Sequence, residues 1–168
     1  MAESRFAIEA LTPAYRREEF SCGEPALDDF IRRYARQQQT RGFNRTYVAV
    51  ADGLGIAGYY SINAGSVLTA ELPDALKLPR YPVPILRIGR LAVDTRYQGL
   101  GLGRLLLRHS FQLALEVAGR VGLFAVVVDA KHAEAAAYYR KLGFAEFASR
   151  PLSMYLPLAT LAESIRQD

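Results

Sequence analysis

Apolar positions along the chain follow two periods. At 102–117, Leu102, Leu105, Leu106, Leu113 and Val117 recur at the three, four and seven spacing of an amphipathic helix. Leu27, Phe30, Ile31, Tyr34 and Ala35 trace a second such face, with Arg32, Arg33 and Arg36 on the others. Shorter apolar runs read as strands at 6–11, 46–51, 56–64, 83–93, 144–149 and 152–158, and the β-branched run LFAVVV at 123–128 suits a strand buried on both faces. The turn Asp52-Gly53-Leu54-Gly55 supplies hairpin glycines between 46–51 and 56–64. Two further helices are predicted. One is short, at 13–20, with Thr12 as N-cap and Pro13 just inside, and the other, AAAYYRKLGF at 135–144, ends at Gly143. Residues 71–82 are a proline-punctuated excursion. Pro84 and Gly89 within the 83–93 strand predict an interrupted ladder or a bulge there. Strands alternating with helices make this an α/β chain.

A length of 168 residues and 51% hydrophobic composition allow one domain with a real core, 1–168. The opening MAESRFAIEA is interrupted by Glu3, Arg5 and Glu9 and does not read as a secretory leader. No apolar run is long enough for a membrane span, so a cytoplasmic location is expected. Cys22 is the single cysteine, which excludes an internal disulfide; it reads as a small buried hydrophobe before Gly23 or as a nucleophile without a supporting motif. His109 and His132 form no zinc-like cluster, and no metal is implied. Net charge is +4, and 18 of the 21 basic residues are arginine. An anionic partner such as nucleic acid would explain this, and so would a solubilising surface.

The segment RLAVDTRYQGLGLGR at 90–104 carries the most chemistry. Leu91, Ala92 and Val93 end an apolar strand, and Gln98, Gly99, Leu100, Gly101, Leu102, Gly103 and Arg104 form a Q-x-x-G-x-G turn opening directly into a helix. Unpaired N–H groups and the partial positive charge of a helix start suit a pyrophosphate, with Arg96 and Arg104 alongside. Other nucleotide-binding folds use similar turns, and some are only tight connections. The order of strand, Q-x-x-G-x-G, amphipathic helix, buried strand, and helix with an aromatic pair followed by G-F resembles the GNAT superfamily of N-acetyltransferases. The resemblance implies an α/β fold built on a single mixed, mostly antiparallel sheet flanked by helices, with acetyl-CoA as cosubstrate. It also implies that two central strands splay apart and that pantetheine lies between the strand ending at 91–93 and that at 124–128. Tyr139 would then protonate the departing thiolate while Tyr138 packs. A phenol of pKa about 10 remains protonated near neutrality, whereas a thiol titrates at about 8.5. Glu71, Asp74, Asp94, Asp129 and Glu134 read as surface or caps, and none stands out as a base. An α-amine has a pKa near 8, lowered further when the carboxyl is esterified, so it needs little help to be neutral.

The N-terminal half narrows the resemblance. Phe20-x-Cys22-Gly23-x-x-x-Leu27-Asp28-x-Phe30-Ile31, Thr46-Tyr47-Val48, Gly58-Tyr59-Tyr60, Gly89 to Asp94 and Met154 to Leu158 look like the TacT-type toxins of bacterial toxin–antitoxin pairs. Members acetylate the α-amine of aminoacyl-tRNA and halt translation. The likeness implies a ribbon-helix-helix antitoxin and a homodimer. Arg32, Arg33, Arg36, Arg41, Arg45, Arg87 and Arg90 are then candidate tRNA contacts, each also readable as a solvated surface residue. Two alternatives remain: a GNAT acting on another amine (a protein N-terminus, polyamine or antibiotic), and a non-catalytic GNAT-like nucleic-acid-binding module.

Overall fold

The protein is described by a computed structural model over residues 6–167. Its strands are β1 (Ala7–Ala10), β2 (Arg45–Val50), β3 (Ile56–Val67), β4 (Val83–Val93), β5 (Ala125–Asp129), β6 (Ala145–Phe147) and β7 (Arg150–Pro157). They form one seven-stranded sheet in the order β1-β2-β3-β4-β5-β7-β6. The β1–β2, β2–β3, β5–β7 and β6–β7 pairs are antiparallel and β4–β5 is parallel, which makes the sheet mixed as expected. The helices are α1, built from Pro25–Asp29, a π turn at Phe30–Tyr34 and Ala35–Thr40; α2 (Leu102–Ala118); α3 (Ala133–Lys141); and α4 (Leu158–Gln167). No helix among the described residues is long and apolar enough to cross a membrane.

The chain divides into two compact units, Met1–Asn63 with Gly89–Ser110, and Ala64–Ile88 with Phe111–Asp168. In the first, Leu11, Phe20, Leu27, Phe30, Ile31, Ala35, Val48, Ile56, Tyr59 and Ala92 make a buried cluster, with the Tyr59 hydroxyl donating to the Leu27 carbonyl at 2.7 Å. In the second, Val67, Val83, Ile85, Ala125, Val127, Phe147 and Tyr155 do the same. β4 is one continuous strand where an interruption was expected, and no register shift marks its ladder with β5. Its parallel register with β5 runs from Ile85↔Ala125 to Ile88↔Val128 and stops one residue before Gly89.

Four further expectations need correction. Residues 13–20 form turns instead of a helix, because Arg16 donates its N–H to the Leu54 carbonyl at 2.9 Å and bridges to Gly55, while Tyr15 and Phe20 are drawn into the core. Thr12 Oγ1 accepts from Ala14 at 3.3 Å and caps a turn only. Tyr34, expected on the buried face of α1, is 48% exposed, whereas Ala35 is fully buried. The π turn is the cause. Ala35 N–H reaches back five residues to the Phe30 carbonyl, and the extra residue moves the apolar stripe from position 34 to 35. On α2 Leu102, as expected, is fully buried together with Leu106, Ser110 and Ala114, while Leu105, Leu113 and Val117 are half-buried. Cys22 is half-buried against the first cluster, where a buried side chain was expected. Helix α4 was not predicted.

The π turn gives a test by contrast. Ile31→Ala should lower unfolding free energy by about 2–5 kcal/mol, the usual loss for a buried aliphatic, and Tyr34→Ala should change it by no more than about 0.5 kcal/mol. Urea titration of both variants separates a π turn from a regular helix, in which Tyr34 would be the costlier loss.

Candidate active site

The first unit builds its turn from the end of β4. Asp94 donates its N–H to the Ala57 carbonyl at 2.9 Å, and its carboxylate, with side-chain exposure of 1%, accepts from Ser21 N–H at 3.1 Å and Arg96 N–H at 2.9 Å. Arg96 adds a fork, Nε at 2.9 Å and Nη2 at 3.1 Å. Burial alone would raise the Asp94 pKa, but the hydrogen bonds from Arg96 and Ser21 outweigh it and hold the carboxyl below the usual range. The strand thus stops in a short 3₁₀ turn at Thr95–Tyr97. Gln98, though exposed, folds its amide back on the chain, Nε2 donating to the Val93 carbonyl at 2.9 Å and the Cys22 carbonyl at 3.3 Å.

Beyond Gln98 the backbone opens to solvent. Gly99 and Gly101 adopt φ of +80° and +82°, the left-handed region that glycine favours, and a Cβ built on either would have no atom within 4 Å. The first hydrogen bond of α2 runs from Leu105 N–H to the Gly101 carbonyl at 3.1 Å, so the N–H groups of Leu102, Gly103 and Arg104 have no acceptor within the helix. Leu102 is buried and pins this end, while Leu100 and Arg104 are exposed. An uncluttered cradle of glycines at the N-terminus of a 17-residue helix fits a pyrophosphate. Gly103 has ordinary φ and room for a methyl group, its nearest neighbours being Val93 and Leu91 side-chain atoms at 3.8 and 3.9 Å, so backbone conformation does not demand glycine there.

In the second unit, α3 starts where His132 Nδ1 accepts from Ala135 N–H at 3.2 Å and ends at Gly143, φ +104°. Phe144 N–H returns to the Tyr139 carbonyl at 3.1 Å, which fixes Tyr139 in the last turn. Its ring meets Phe144 edge-on at 5.5 Å and Tyr138 at 5.8 Å, both tyrosines being half-buried. Burial, with a smaller contribution from Tyr138, pushes the Tyr139 phenol up, so it stays protonated at neutral pH. Among the described residues its hydroxyl has no hydrogen-bond partner.

The arginines separate into two groups. Arg32 is tied down, its guanidinium donating to the Phe20 carbonyl. Arg87 pairs with Asp129 at 2.8 Å, and Arg90 lies over the Phe30 ring at 3.9 Å. Arg33, Arg36, Arg41 and Arg45 are exposed on and just after α1, with Arg41 over Phe43 at 4.8 Å.

A family model for the acetyltransferase (GNAT) domain matches residues 43–146. The chain belongs to the GNAT acetyltransferases. It is 39% identical over 139 residues, 82% of each chain, to the tRNA-acetylating toxin of Mycobacterium tuberculosis. Against a probable TacT toxin of Sinorhizobium fredii it is 32% identical over 166 residues, 92% of each. Among solved structures it is similar to a tyrosine-to-phenylalanine variant of KacT, with TM-score 0.88 and 26% identity over 95% of this chain and 99% of that one. Another is AtaT complexed with acetyl-methionyl-tRNAfMet, with TM-score 0.86 and 27% identity over 96% and 98%. A third is a tyrosine-to-phenylalanine variant of AtaT bound to the C-terminus of the antitoxin AtaR and acetyl-CoA, with TM-score 0.83 and 25% identity over 96% and 98%. This GNAT is thus an N-acetyltransferase of the TacT type.

Asp94, expected as surface or cap, does cap the 3₁₀ turn at Thr95–Tyr97, its carboxylate accepting from Arg96 N–H, but it is not on the surface. Both it and Asp28 prove to be buried polar anchors. The signal available was an aspartate embedded in an apolar strand end or helix face, a place where carboxylates are scarce without partners. The turn predicts two different glycine responses. Gly101→Ala should destabilise folding by about 1–2 kcal/mol, because alanine must take the left-handed region. Gly103→Ala should leave the melting curve unharmed and lower acetyl-CoA affinity alone, through crowding of the helix start. Paired denaturation and calorimetric binding measurements check both.

Proposed function

We propose that this enzyme transfers an acetyl group from acetyl-CoA to the α-amine of aminoacyl-tRNA, acting in the cytoplasm as a single-domain translation-blocking toxin. The observation that carries the reading is the open Gly99–Gly101 turn at the start of α2, in a chain 39% identical to a tRNA-acetylating toxin. Acetyl-CoA supplies an activated thioester. The backbone N–H groups from Gln98 to Arg104 take its pyrophosphate, and the strand end Leu91–Val93, which β5 does not pair, offers peptide groups to its arm. A neutral amine attacks the thioester carbon, a C–N bond forms and the C–S bond breaks. Tyr139 gives its phenolic proton to the thiolate, and solvent takes the proton lost by the amine. The free Tyr139 hydroxyl and its raised pKa support this role.

No strong base is needed in this scheme, since an esterified α-amine is largely neutral near pH 7. Arg33, Arg36, Arg41 and Arg45 are the arginines left to meet RNA phosphates; Arg32, Arg87 and Arg90 act within the fold. A homodimer and a ribbon-helix-helix antitoxin belong to the same reading, and the antitoxin-bound AtaT relative supports an antitoxin partner.

Mass spectrometry of charged tRNA after incubation with acetyl-CoA should find N-acetylated aminoacyl ends. Free polyamine or peptide as the preferred acceptor would replace this reading with another amine substrate. Tyr139→Phe should keep folding and acetyl-CoA affinity while turnover falls by about 10²- to 10⁴-fold, and Tyr138→Phe should be mild. A near-normal kcat in Tyr139→Phe would place the acid elsewhere. For the RNA contacts, Arg33→Gln with Arg36→Gln should raise the apparent KM for charged tRNA and reduce the log–log salt slope by about 1–2, with acetyl-CoA affinity unchanged.

A further inference from the structure

Ser21 and Cys22 lie in neither helix nor strand, yet all four of their backbone polar groups are held by other segments of the first unit. Ser21 N–H donates to Asp94 Oδ2 at 3.1 Å, and its carbonyl accepts from Thr95 N–H at 2.9 Å. Cys22 N–H donates to Asp28 Oδ1 at 2.8 Å, and its carbonyl accepts from Gln98 Nε2 at 3.3 Å. Phe20, immediately before, is 1% exposed and gives its carbonyl to Arg32. Gly23, immediately after, turns the chain at φ +95° into α1. Both carboxylates are buried, Asp28 at 7% exposure and Asp94 at 1%.

Burying a carboxylate is costly unless hydrogen bonds replace its water, and here two such groups converge on a two-residue strap. One end of the strap meets the residues that launch the acetyl-CoA turn: Asp94, Thr95 and Gln98. The other meets Asp28 in the first turn of α1, the helix carrying Arg33 and Arg36. Gln98 is the join, because its amide grips the Cys22 carbonyl and the Val93 carbonyl together. The motif Phe20-x-Cys22-Gly23-x-x-x-Leu27-Asp28 thereby acquires a physical content: an anchored ring, a strap, a left-handed turn, a core leucine and a carboxylate that closes back on the strap.

We propose that Asp28 is a positioning residue for the acetyl-CoA turn, acting through the Ser21–Cys22 strap and the Gln98 amide. Donor affinity then depends on a carboxylate in α1 that is itself committed to the Cys22 N–H. This rests on the assignment of the Gln98–Arg104 turn to acetyl-CoA made above. Because linkage is reciprocal, acetyl-CoA on the turn also steadies the strap.

Calorimetry with acetyl-CoA on the full chain tests this. Asp28→Ala and Gln98→Ala should each weaken binding about 10-fold, the scale of one or two lost hydrogen bonds. Asp28→Asn, whose amide oxygen still accepts the Cys22 N–H, should recover most of the loss. The double variant Asp28→Ala with Gln98→Ala should be little weaker than either single one, since both break one path. In turnover assays the acetyl-CoA KM should rise while kcat at saturation stays within about 2-fold, as expected when uniform binding is lost. Cys22, the only cysteine, gives a readout that needs no turnover. Acetyl-CoA should slow its alkylation in the parent protein but not in Gln98→Ala, an exposed change that leaves the core intact. Unchanged affinity in Asp28→Ala, strictly multiplicative losses in the double variant, or equal protection of Cys22 in Gln98→Ala overturns the proposal while leaving the turn assignment standing. If Asp28→Ala does not fold, the Gln98→Ala protection measurement decides alone. A parent protein that does not bind acetyl-CoA removes the turn assignment and this proposal with it.

Discussion

The carboxylate of Asp94 is the constraint on which the first unit's geometry depends. A strand end inside an apolar cluster is an unfavourable place for a negative charge, and burial by itself would favour the protonated form. Four hydrogen bonds, from Ser21 N–H and from the Arg96 backbone and guanidinium, reverse that preference and keep the carboxyl ionised below its ordinary range. Its contribution to stability is accordingly present above the unfolded carboxylate pKa of about 3.9 and is lost as pH falls through the lower folded value. Arg96 is half-exposed, so the pair matters more for direction than for energy: it tells β4 where to end and the next segment how to turn.

From that end, functions divide by which polar groups the fold has already used. The ladder between β4 and β5 stops at Ile88↔Val128, so the final residues of β4 reach Asp94 without a β5 partner. The arginines divide in the same way. A positive total of +4 looks like a single basic feature in the composition. Arg32, Arg87 and Arg90 are bound to a carbonyl, a carboxylate and a ring, which leaves a smaller exposed set around α1 for an anionic partner.

Much of this was legible from residue order because it rests on local rules. The Q-x-x-G-x-G turn, the boundaries of β4, the hairpin glycines and the Gly143 cap each follow from what a few consecutive residues can do with their own backbone. What escaped depends on partners far along the chain. The segment 13–20 has the cap and proline of a helix, but too few residues to nucleate one against a bridge to Gly55 and two core aromatics. Tyr34 was misplaced because one extra residue in a π turn shifts a helical face, and nothing in the spacing announces that residue. Asp28 was legible only as an acid, and Asp94 only as an acid or a cap. Asp28 meets Cys22 6 residues back, and Asp94, besides its local bonds from Arg96, meets Ser21 73 residues away, a distance beyond any local pattern.

The surroundings of Tyr139 suit a proton donor rather than a base. A phenol drawn into apolar surroundings has its ionisation suppressed, and the Phe144 and Tyr138 rings provide those surroundings. The same burial keeps the phenol protonated near neutrality, so its proton is on hand for a thiolate formed nearby, although the thiol, at about 8.5, is the stronger acid of the two. An acceptor whose amine is already neutral removes the need for the opposite arrangement. Selectivity then has to come from holding the acceptor rather than activating it. Exposed arginines on α1, set apart from those consumed by the fold, are the side chains suited to hold an acceptor that carries its amine on a polyanion.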